Sequence, residues 1–155
     1  MMFRDGNILD QCVGGNIIVH GCNAQGAMGS GVAKQIREKH PDVYRKYIDD
    51  LNSTAYLSKV GIVSWYQAPK GEWIASAITQ ATYGKSPQRY VSYDAIDTCF
   101  RKVIQFAVNN GLSVHVPDMI GAGLGGGNRA VIAAIISSVM DEYSFKDLTV
   151  WKYEL

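Results

Sequence analysis

The hydrophobic pattern of the chain alternates between short apolar runs and longer segments with helical spacing. Runs rich in β-branched residues predict strands, whereas apolar positions repeated at intervals of three and four residues predict helices. The predicted strands cover residues 16–20, 60–65, 73–79, 113–120 and 148–155. The predicted helices run from about residue 32 to a break at His40–Pro41, from 43 to 51, from Ser92 to Asn110, and over 132–143.

This alternation of strands and helices predicts an α/β sandwich in which helices cover both faces of one central sheet. The chain has no internal repeat and no linker rich in proline and serine, so residues 1–155 are expected to form a single domain. In such sheets, ligands bind beyond the carboxyl ends of the strands, where loops lead into helix N-termini. Two glycine-rich loops, residues 21–31 and 121–127, lie at that edge and are the predicted binding site.

Both glycine-rich loops precede a predicted helix, which suits them to bind an anion. Glycines permit positive φ and a close approach of backbone N–H groups to a ligand, and a helix N-terminus supplies free donors. Alternatively, both loops are tight turns between a strand and a helix. Five glycines within residues 121–127 favour the first interpretation, because each glycine costs about 0.5–1 kcal/mol of backbone entropy. Together the loops are predicted to hold the two phosphates of a diphosphate.

Neither loop carries the complete motif of another nucleotide-binding class. The Walker A pattern ends in glycine, lysine and serine or threonine, which both loops lack. Gly121, Gly123 and Gly126 match GxGxxG, but a dinucleotide fold needs this motif near its first strand, and one predicted strand follows it here. A nicotinamide dehydrogenase is therefore disfavoured.

The composition excludes several broad classes of protein. Hydrophobic residues make up 47% and charged residues 19% of the chain, a balance that excludes intrinsic disorder. The formal net charge of +1 argues against bulk nucleic-acid binding, which requires an excess of Lys and Arg. Neither a secretory signal nor a membrane-length apolar stretch is present, so Cys12, Cys22 and Cys99 are expected to be buried, reduced thiols in a cytoplasmic protein. No metal-ligand spacing is found, and no cofactor is expected.

Five motifs, in order along the chain, resemble the macro domain family. They are GNIL (6–9), IIVHGCN (17–23), GAMGSGVA (26–33), PDMIGAGLGGG (117–127) and VWKYEL (150–155). The resemblance is closest to the branch that contains yeast and phage ADP-ribose 1''-phosphate phosphatases, with ADP-ribosyl-protein glycohydrolases in a related branch. It implies a three-layer α/β/α sandwich with a mostly parallel six-stranded sheet and an ADP-ribose cleft across the strand ends.

The resemblance also implies a set of ligand-binding residues. Asn7 matches a position that contacts adenine, Asn23 matches one that contacts the distal ribose, and Tyr153 matches an aromatic residue that lies against the purine. The alternatives are a turn residue at Asn7, an Asx-turn at Asn23 and edge-strand packing at Tyr153. The complete implied set is Asn7, Ile8, Asn23, Gly29, Ser30, Gly31, Val32, Gly121, Gly123, Leu124, Gly125, Gly126 and Tyr153.

His20 ends a predicted strand at the ligand edge, at a position where the phosphatase branch carries a histidine. The resemblance therefore implies that His20 acts as a general acid–base or as a nucleophile. The alternative is a core histidine at the end of an apolar strand. His40 is expected at the surface and His115 in a structural role.

The implied activity is metal-independent hydrolysis of ADP-ribose 1''-phosphate to ADP-ribose and phosphate. A non-catalytic reader of free or protein-linked ADP-ribose is the alternative. A glycohydrolase acting on ADP-ribosylated protein is disfavoured, because Gln80 and Gly125 lie near the positions of that branch's lysine and aspartate. Without those two groups, its covalent route lacks both the nucleophile and the assisting carboxylate.

Overall fold

The secondary structure was taken from a computed structural model, which describes residues 1–53, 59–118, 120–123 and 125–153. Its elements are β1 (Met2–Asp5), α1 (Ile8–Gln11), β2 (Asn16–Asn23), α2 (Gly31–Lys39), α3 (Pro41–Ser53), β3 (Val63–Gln67), β4 (Trp73–Gln80), α4 (Tyr93–Asn110), β5 (Ser113–Pro117), α5 (Arg129–Glu142) and β6 (Leu148–Lys152). Within the described residues, the six strands form one sheet in the order β1-β6-β5-β2-β4-β3. Neighbouring strands are parallel except β3 and β4, which pair antiparallel.

Helices cover both faces of the sheet and bury a separate hydrophobic core on each. On one face, α4 and α5 pack over the sheet around residues such as Phe100, Val103 and Ile136. On the other face, α1, α2 and α3 pack around residues that include Ile36 and Tyr47. This arrangement confirms the predicted three-layer α/β/α sandwich with a mostly parallel sheet.

Most elements agree with the sequence pattern, and their ends show where the pattern was incomplete. The predicted strand over 113–120 ends at Pro117, because the chain turns at Asp118 toward the second glycine loop. The predicted last strand ends at Lys152, and residues 154–155 lie outside the described residues. The strand predicted at 60–65 begins at Val63 instead, since the chain turns at Gly61 with a φ of 99°. Strand β1 and the single-turn helix α1 were not predicted.

The three cysteines are unpaired and buried, as expected. Burial raises the pKa of Cys12 and of Cys99 to about 12, and it also raises the pKa of Cys22. These thiols are therefore protonated at neutral pH and poorly nucleophilic. In the described part of the chain, no helix is both long enough and apolar enough to cross a membrane.

Candidate functional site

A cleft of about 550 Å³ opens at the carboxyl ends of the parallel strands. Its walls come from the end of β2 with the first glycine loop, from the end of β4 with the segment that follows it, and from the end of β5 with the second glycine loop. The lining residues are His20–Asn23, Ala27–Ala33, Gln80, Tyr83–Lys85, Pro117, Asp118, Ile120, Gly121, Gly123 and Gly125. The structure therefore brings the two predicted loops together on one cavity.

Asn23 organises the first glycine loop. Its Oδ1 accepts hydrogen bonds from the backbone amides of Gln25 and Ala27 at 3.0 and 3.2 Å, and its Nδ2 donates to the Ala27 carbonyl at 2.9 Å. The Tyr47 hydroxyl donates to the Asn23 backbone carbonyl, and the whole Asn23 residue is only 7% exposed. This is the Asx-turn arrangement that the sequence left open. The bond to Ala27 uses one of the two Nδ2 hydrogens, and contact with a ribose stays a prediction.

The first glycine loop ends in an open helix N-terminus. Ser30 precedes α2 in an extended conformation, and its side chain makes no capping hydrogen bond. The first helical bond runs from the Lys34 amide to the Ser30 carbonyl at 3.2 Å, so the amides of residues 31–33 precede the helical ladder. At Gly29 and Gly31, a Cβ would meet no atom within 4 Å. Backbone donors, the positive end of the helix dipole and free space therefore coincide at this wall.

The second glycine loop is packed much more tightly. A Cβ at Gly125 or Gly127 would lie 2.7 Å from the Gly121 carbonyl oxygen, and a Cβ at Gly126 would overlap the Gln88 carbonyl. Gly121 and Gly126 both have a φ of 71°. Four of the five glycines are therefore required by the turn itself, and their number was a weaker sign of ligand binding than the sequence suggested. Gly126 lines a neighbouring pocket rather than the cleft.

Gly123 is the exception in the second loop. A Cβ at Gly123 would meet no atom within 4 Å, and Gly123 does not have a positive φ. Asn128 caps the N-terminus of the following helix, α5. Its Oδ1 accepts hydrogen bonds from the amides of Ala130 and Val131 at 2.9 and 3.1 Å. Leu124, also in the predicted set, lies outside the described residues.

His20 lies beneath the floor of the cleft, in the central strand β2. Its Nε2 is 2.7 Å from the Ser76 Oγ, its Nδ1 is 3.6 Å from the Cys22 Sγ, and the residue is 1% exposed. Burial lowers the pKa of His20 to about 4, so the imidazole is neutral at pH 7. The side chain is ordered by its neighbours in the sheet, and catalysis by His20 stays a prediction.

The predicted adenine-binding residues lie at the same edge of the sheet but not in the lining of the cleft. The Asn7 Oδ1 caps α1 by accepting from the Leu9 amide at 3.0 Å, and the Ile8 side chain is buried. Tyr153 follows β6 and is 54% exposed. A hydrogen bond from the Gly6 amide to the Lys152 carbonyl, 2.8 Å long, ties the two strand ends together.

Asp118 is a cleft residue to which the sequence analysis gave no role. It follows β5 directly, forms an ion pair with Arg129 and is partly exposed in the cleft. The sequence analysis placed Asp118 inside the predicted strand 113–120, so its position at the strand end became visible only in the structure. Among the described residues, no group of three or more His, Cys, Asp or Glu side chains is placed to hold a metal ion.

The other two histidines do not enter the cleft. Trp151 donates from its indole Nε1 to the Nδ1 of His115 at 2.9 Å, and the Nε2 of His115 is 2.8 Å from the Ser113 Oγ. This bonded position agrees with the structural role expected for His115. His40 lies between α2 and α3, half-buried beside Tyr66 rather than fully at the surface.

Sequence comparisons place the chain in a family. A model of the macro domain matches residues 19–136. A protein of Enterobacteria phage T4, described as an uncharacterized 17.5 kDa protein in the tk-vs intergenic region, is 28% identical over 145 residues, which cover 91% of this chain and 88% of the phage protein. An ADP-ribose 1''-phosphate phosphatase of Candida glabrata is 48% identical over 44 residues, which cover 28% of this chain and 25% of that protein.

Solved structures share the fold. A protein of unknown function from Bacteroides thetaiotaomicron superposes with a TM-score of 0.83 at 26% identity, covering 97% of this chain and 96% of that one. Thermosipho africanus DarTG, solved in complex with ADP-ribose, has a TM-score of 0.77 at 16% identity over 97% of this chain and 41% of its own. Because the family model matches most of the chain, this protein belongs to the macro domain family, an ADP-ribose-binding family.

Proposed function

We propose that this macro domain binds ADP-ribose in the cleft, with the diphosphate between the α2 N-terminus and Gly123. The observation that carries the proposal is the pair Gly29 and Gly123. Neither glycine has a positive φ, and, chain neighbours aside, neither has an atom of the described residues within 4 Å of its Cβ position. Since backbone conformation and internal packing both allow a side chain there, the space is best explained by a ligand that needs close access to the backbone.

The remaining parts of ADP-ribose are proposed to lie along the same edge of the sheet. The distal ribose is proposed to lie against Asn23, at the inner end of the cleft. The adenosine is proposed to extend toward Asn7, Ile8 and Tyr153, which follow β1 and β6 at the same edge. Backbone amides carry most of this recognition, which is consistent with a formal net charge of only +1.

For the activity, we propose hydrolysis of ADP-ribose 1''-phosphate. Water attacks the terminal phosphomonoester, the bond between phosphorus and the ribose oxygen breaks, and ADP-ribose and inorganic phosphate leave. The segment 48% identical to an ADP-ribose 1''-phosphate phosphatase supports this choice. His20 is proposed to transfer a proton. Because its imidazole is neutral and almost fully covered, this role requires a local opening of the cleft floor.

A non-catalytic reader of ADP-ribose is the second candidate. The burial of His20 and its contacts with Ser76 and Cys22 favour this candidate, because they match a histidine that stabilises the sheet. The glycohydrolase is less favoured still. Gln80 and Gly125 lie near the positions of that branch's lysine and aspartate. The Gln80 Oε1 is 3.2 Å from the Cβ position of Gly125, so the two residues meet in the cleft, but they supply neither an amine nor a carboxylate.

The test is phosphate release from ADP-ribose 1''-phosphate by the purified protein, with an ADP-ribosylated protein assayed in parallel. The proposal predicts release of phosphate from ADP-ribose 1''-phosphate and no release of ADP-ribose from the ADP-ribosylated protein. Wild-type protein that binds ADP-ribose and releases no phosphate would establish the reader instead.

The role of His20 is tested by His20→Ala, with His115→Ala as a matched loss of an imidazole outside the cleft. Proton transfer by His20 predicts that His20→Ala lowers kcat by about 10²- to 10⁴-fold. Affinity for ADP-ribose should fall far less, and His115→Ala should keep its kcat. Asn23→Ala should weaken both binding and turnover. An unchanged kcat in folded His20→Ala, together with a lower melting temperature, would show that His20 is a core residue.

A further inference from the structure

A second cavity of about 460 Å³ lies beside the cleft. It is lined by residues 84–89 together with Gly123 and Gly126. Gly84, Lys85 and Gly123 line both cavities, so the two spaces meet over Gly123. The open Cβ position of Gly123 therefore leaves a passage from the cleft into this second cavity.

Contacts with the second glycine loop hold the wall formed by residues 84–89. The amides of Tyr90 and Val91 both donate to the Gly125 carbonyl, at 2.8 and 3.0 Å. The backbone of Gly126 packs against that of Gln88 so closely that no side chain fits between them. The Gln88 amide also donates to the Ser86 carbonyl at 2.8 Å. The segment is thus fixed to the same loop that borders the proposed diphosphate site.

The second cavity has a positive lining. Of the described residues, its lining contains Lys85 and Arg89 and no acidic side chain. Among the described residues, neither Lys85 nor Arg89 forms an ion pair with a carboxylate. The Arg89 guanidinium lies 4.3 Å from the centre of the Tyr93 ring, which restricts its orientation. Two cations without an acidic partner, beside polar backbone, form a suitable site for a phosphate.

We propose that this second cavity binds a phosphate group that the ligand carries beyond its diphosphate, with Lys85 and Arg89 as its partners. The inference rests on the proposed binding of ADP-ribose in the cleft. With the diphosphate at the two glycine loops and the distal ribose against Asn23, the group attached beyond that ribose passes over Gly123 into the second cavity. The extra phosphate is either a phosphomonoester on the terminal ribose or the diphosphate of a second ADP-ribose unit.

The experiment compares three ligands by calorimetric titration. They are ADP-ribose, its 1''-methylenephosphonate analogue, which cannot be hydrolysed at the replaced oxygen, and an ADP-ribose dimer. The proteins are the wild type, Arg89→Ala, and the control Lys146→Ala, because Arg89 lines the second cavity but not the cleft. The control removes the same charge from an exposed position in the connection before β6.

The proposal predicts that Arg89→Ala binds ADP-ribose within about twofold of wild type and loses about tenfold for a ligand with the extra phosphate. The control should bind all ligands as wild type does. A loss confined to the phosphonate identifies the phosphomonoester, and a loss confined to the dimer identifies the second unit. Equal losses for all three ligands, or none, would overturn the proposal. Wild-type protein that does not bind ADP-ribose at all would instead refute the proposed function.

Discussion

The first glycine loop, residues 21–31, and the second, residues 121–127, both connect a parallel strand to a helix. In the first loop, Gly29 and Gly31 face open space, and the amides of the first turn of α2 have no side-chain cap. In the second loop, Gly125, Gly126 and Gly127 press against neighbouring backbone, and Asn128 caps α5. The loop with four glycines in eleven residues is thus the more open one, and the loop with five glycines in seven residues forms a compact wall.

The difference shows that the surroundings of each glycine, rather than the number of glycines, indicate a ligand site. A glycine with positive φ or a close backbone neighbour is explained by the fold alone. Gly29 and Gly123 have neither, and both line one cleft. Substitutions at these two positions therefore test the proposed ligand binding most directly.

The largest effect is expected from Gly126→Val. A valine there must adopt a φ of 71° and would overlap the Gln88 carbonyl, so we expect the free energy of unfolding to fall by roughly 3 kcal/mol. The change is therefore expected to destabilise the fold, although the position looked like a phosphate contact in the sequence. Denaturant unfolding measures the loss, and a variant as stable as wild type would show that the second loop is not tightly packed.

The next effect is expected from Gly29→Val, which should separate binding from stability. The side chain would occupy the space in front of the α2 N-terminus, so affinity for ADP-ribose should fall by about thirtyfold, or about 2 kcal/mol. The melting temperature should stay close to that of wild type, because no protein atom is displaced. Gly29→Ala should give an intermediate affinity. Wild-type affinity in Gly29→Val would place the ligand elsewhere.

A smaller effect concerns the strands that enter the two loops, each of which carries a histidine with a lowered pKa. Burial lowers the pKa of His20 in β2 to about 4 and also lowers the pKa of His115 in β5. Between about pH 6.5 and pH 4, the unfolded chain therefore binds protons at these imidazoles that the folded chain does not bind. The free energy of unfolding falls as the pH is lowered through this range.

Thermal unfolding of wild type and His20→Gln at pH 7 and pH 4.5 measures this contribution. The melting temperature of His20→Gln should depend less on pH than that of wild type. His115→Gln should show the same trend more weakly, because His115 is less buried than His20. An identical pH dependence in wild type and His20→Gln would contradict the burial of a neutral imidazole.

The smallest effect compares the two helix caps. Asn128→Ala removes two hydrogen bonds at the start of α5 and should lower the free energy of unfolding by about 1 kcal/mol. Ser30→Ala removes no capping bond and should leave stability nearly unchanged. Neither change removes a backbone donor from the cleft. Chemical denaturation of both variants checks the contrast, and an equal loss in the two would mean that Ser30 also caps its helix.

Local sequence patterns were sufficient to predict most of the sandwich. Some features depend only on neighbouring residues and can therefore be predicted from the sequence. Examples are the apolar run that forms β2 and the two ends of α4, at the Ser92 cap and at Gly111. Strand β1 could not be predicted in this way. All four of its residues are exposed, and it is held by backbone pairing with β6, which lies almost the full chain length away.

The cleft could be located from the sequence, but its detailed contacts could not. The order of strands and loops was enough to place both glycine loops at one edge. The packing of Gly126 against Gln88 and the bond between His20 and Ser76 join residues far apart in the chain. A central parallel strand is buried on both faces, so no alternation along β2 distinguishes a core histidine from one that faces the cleft.

Calorimetric titration of the wild-type protein with ADP-ribose and with AMP tests the central claim most directly. If backbone amides on the two facing loops hold a diphosphate and its distal ribose, ADP-ribose should bind more tightly than AMP or inorganic phosphate. The affinity should depend only weakly on salt, since oriented dipoles in a cleft are poorly screened. Equal affinity for AMP and ADP-ribose would contradict the account, because it would mean that the space between Gly29 and Gly123 does not receive the diphosphate.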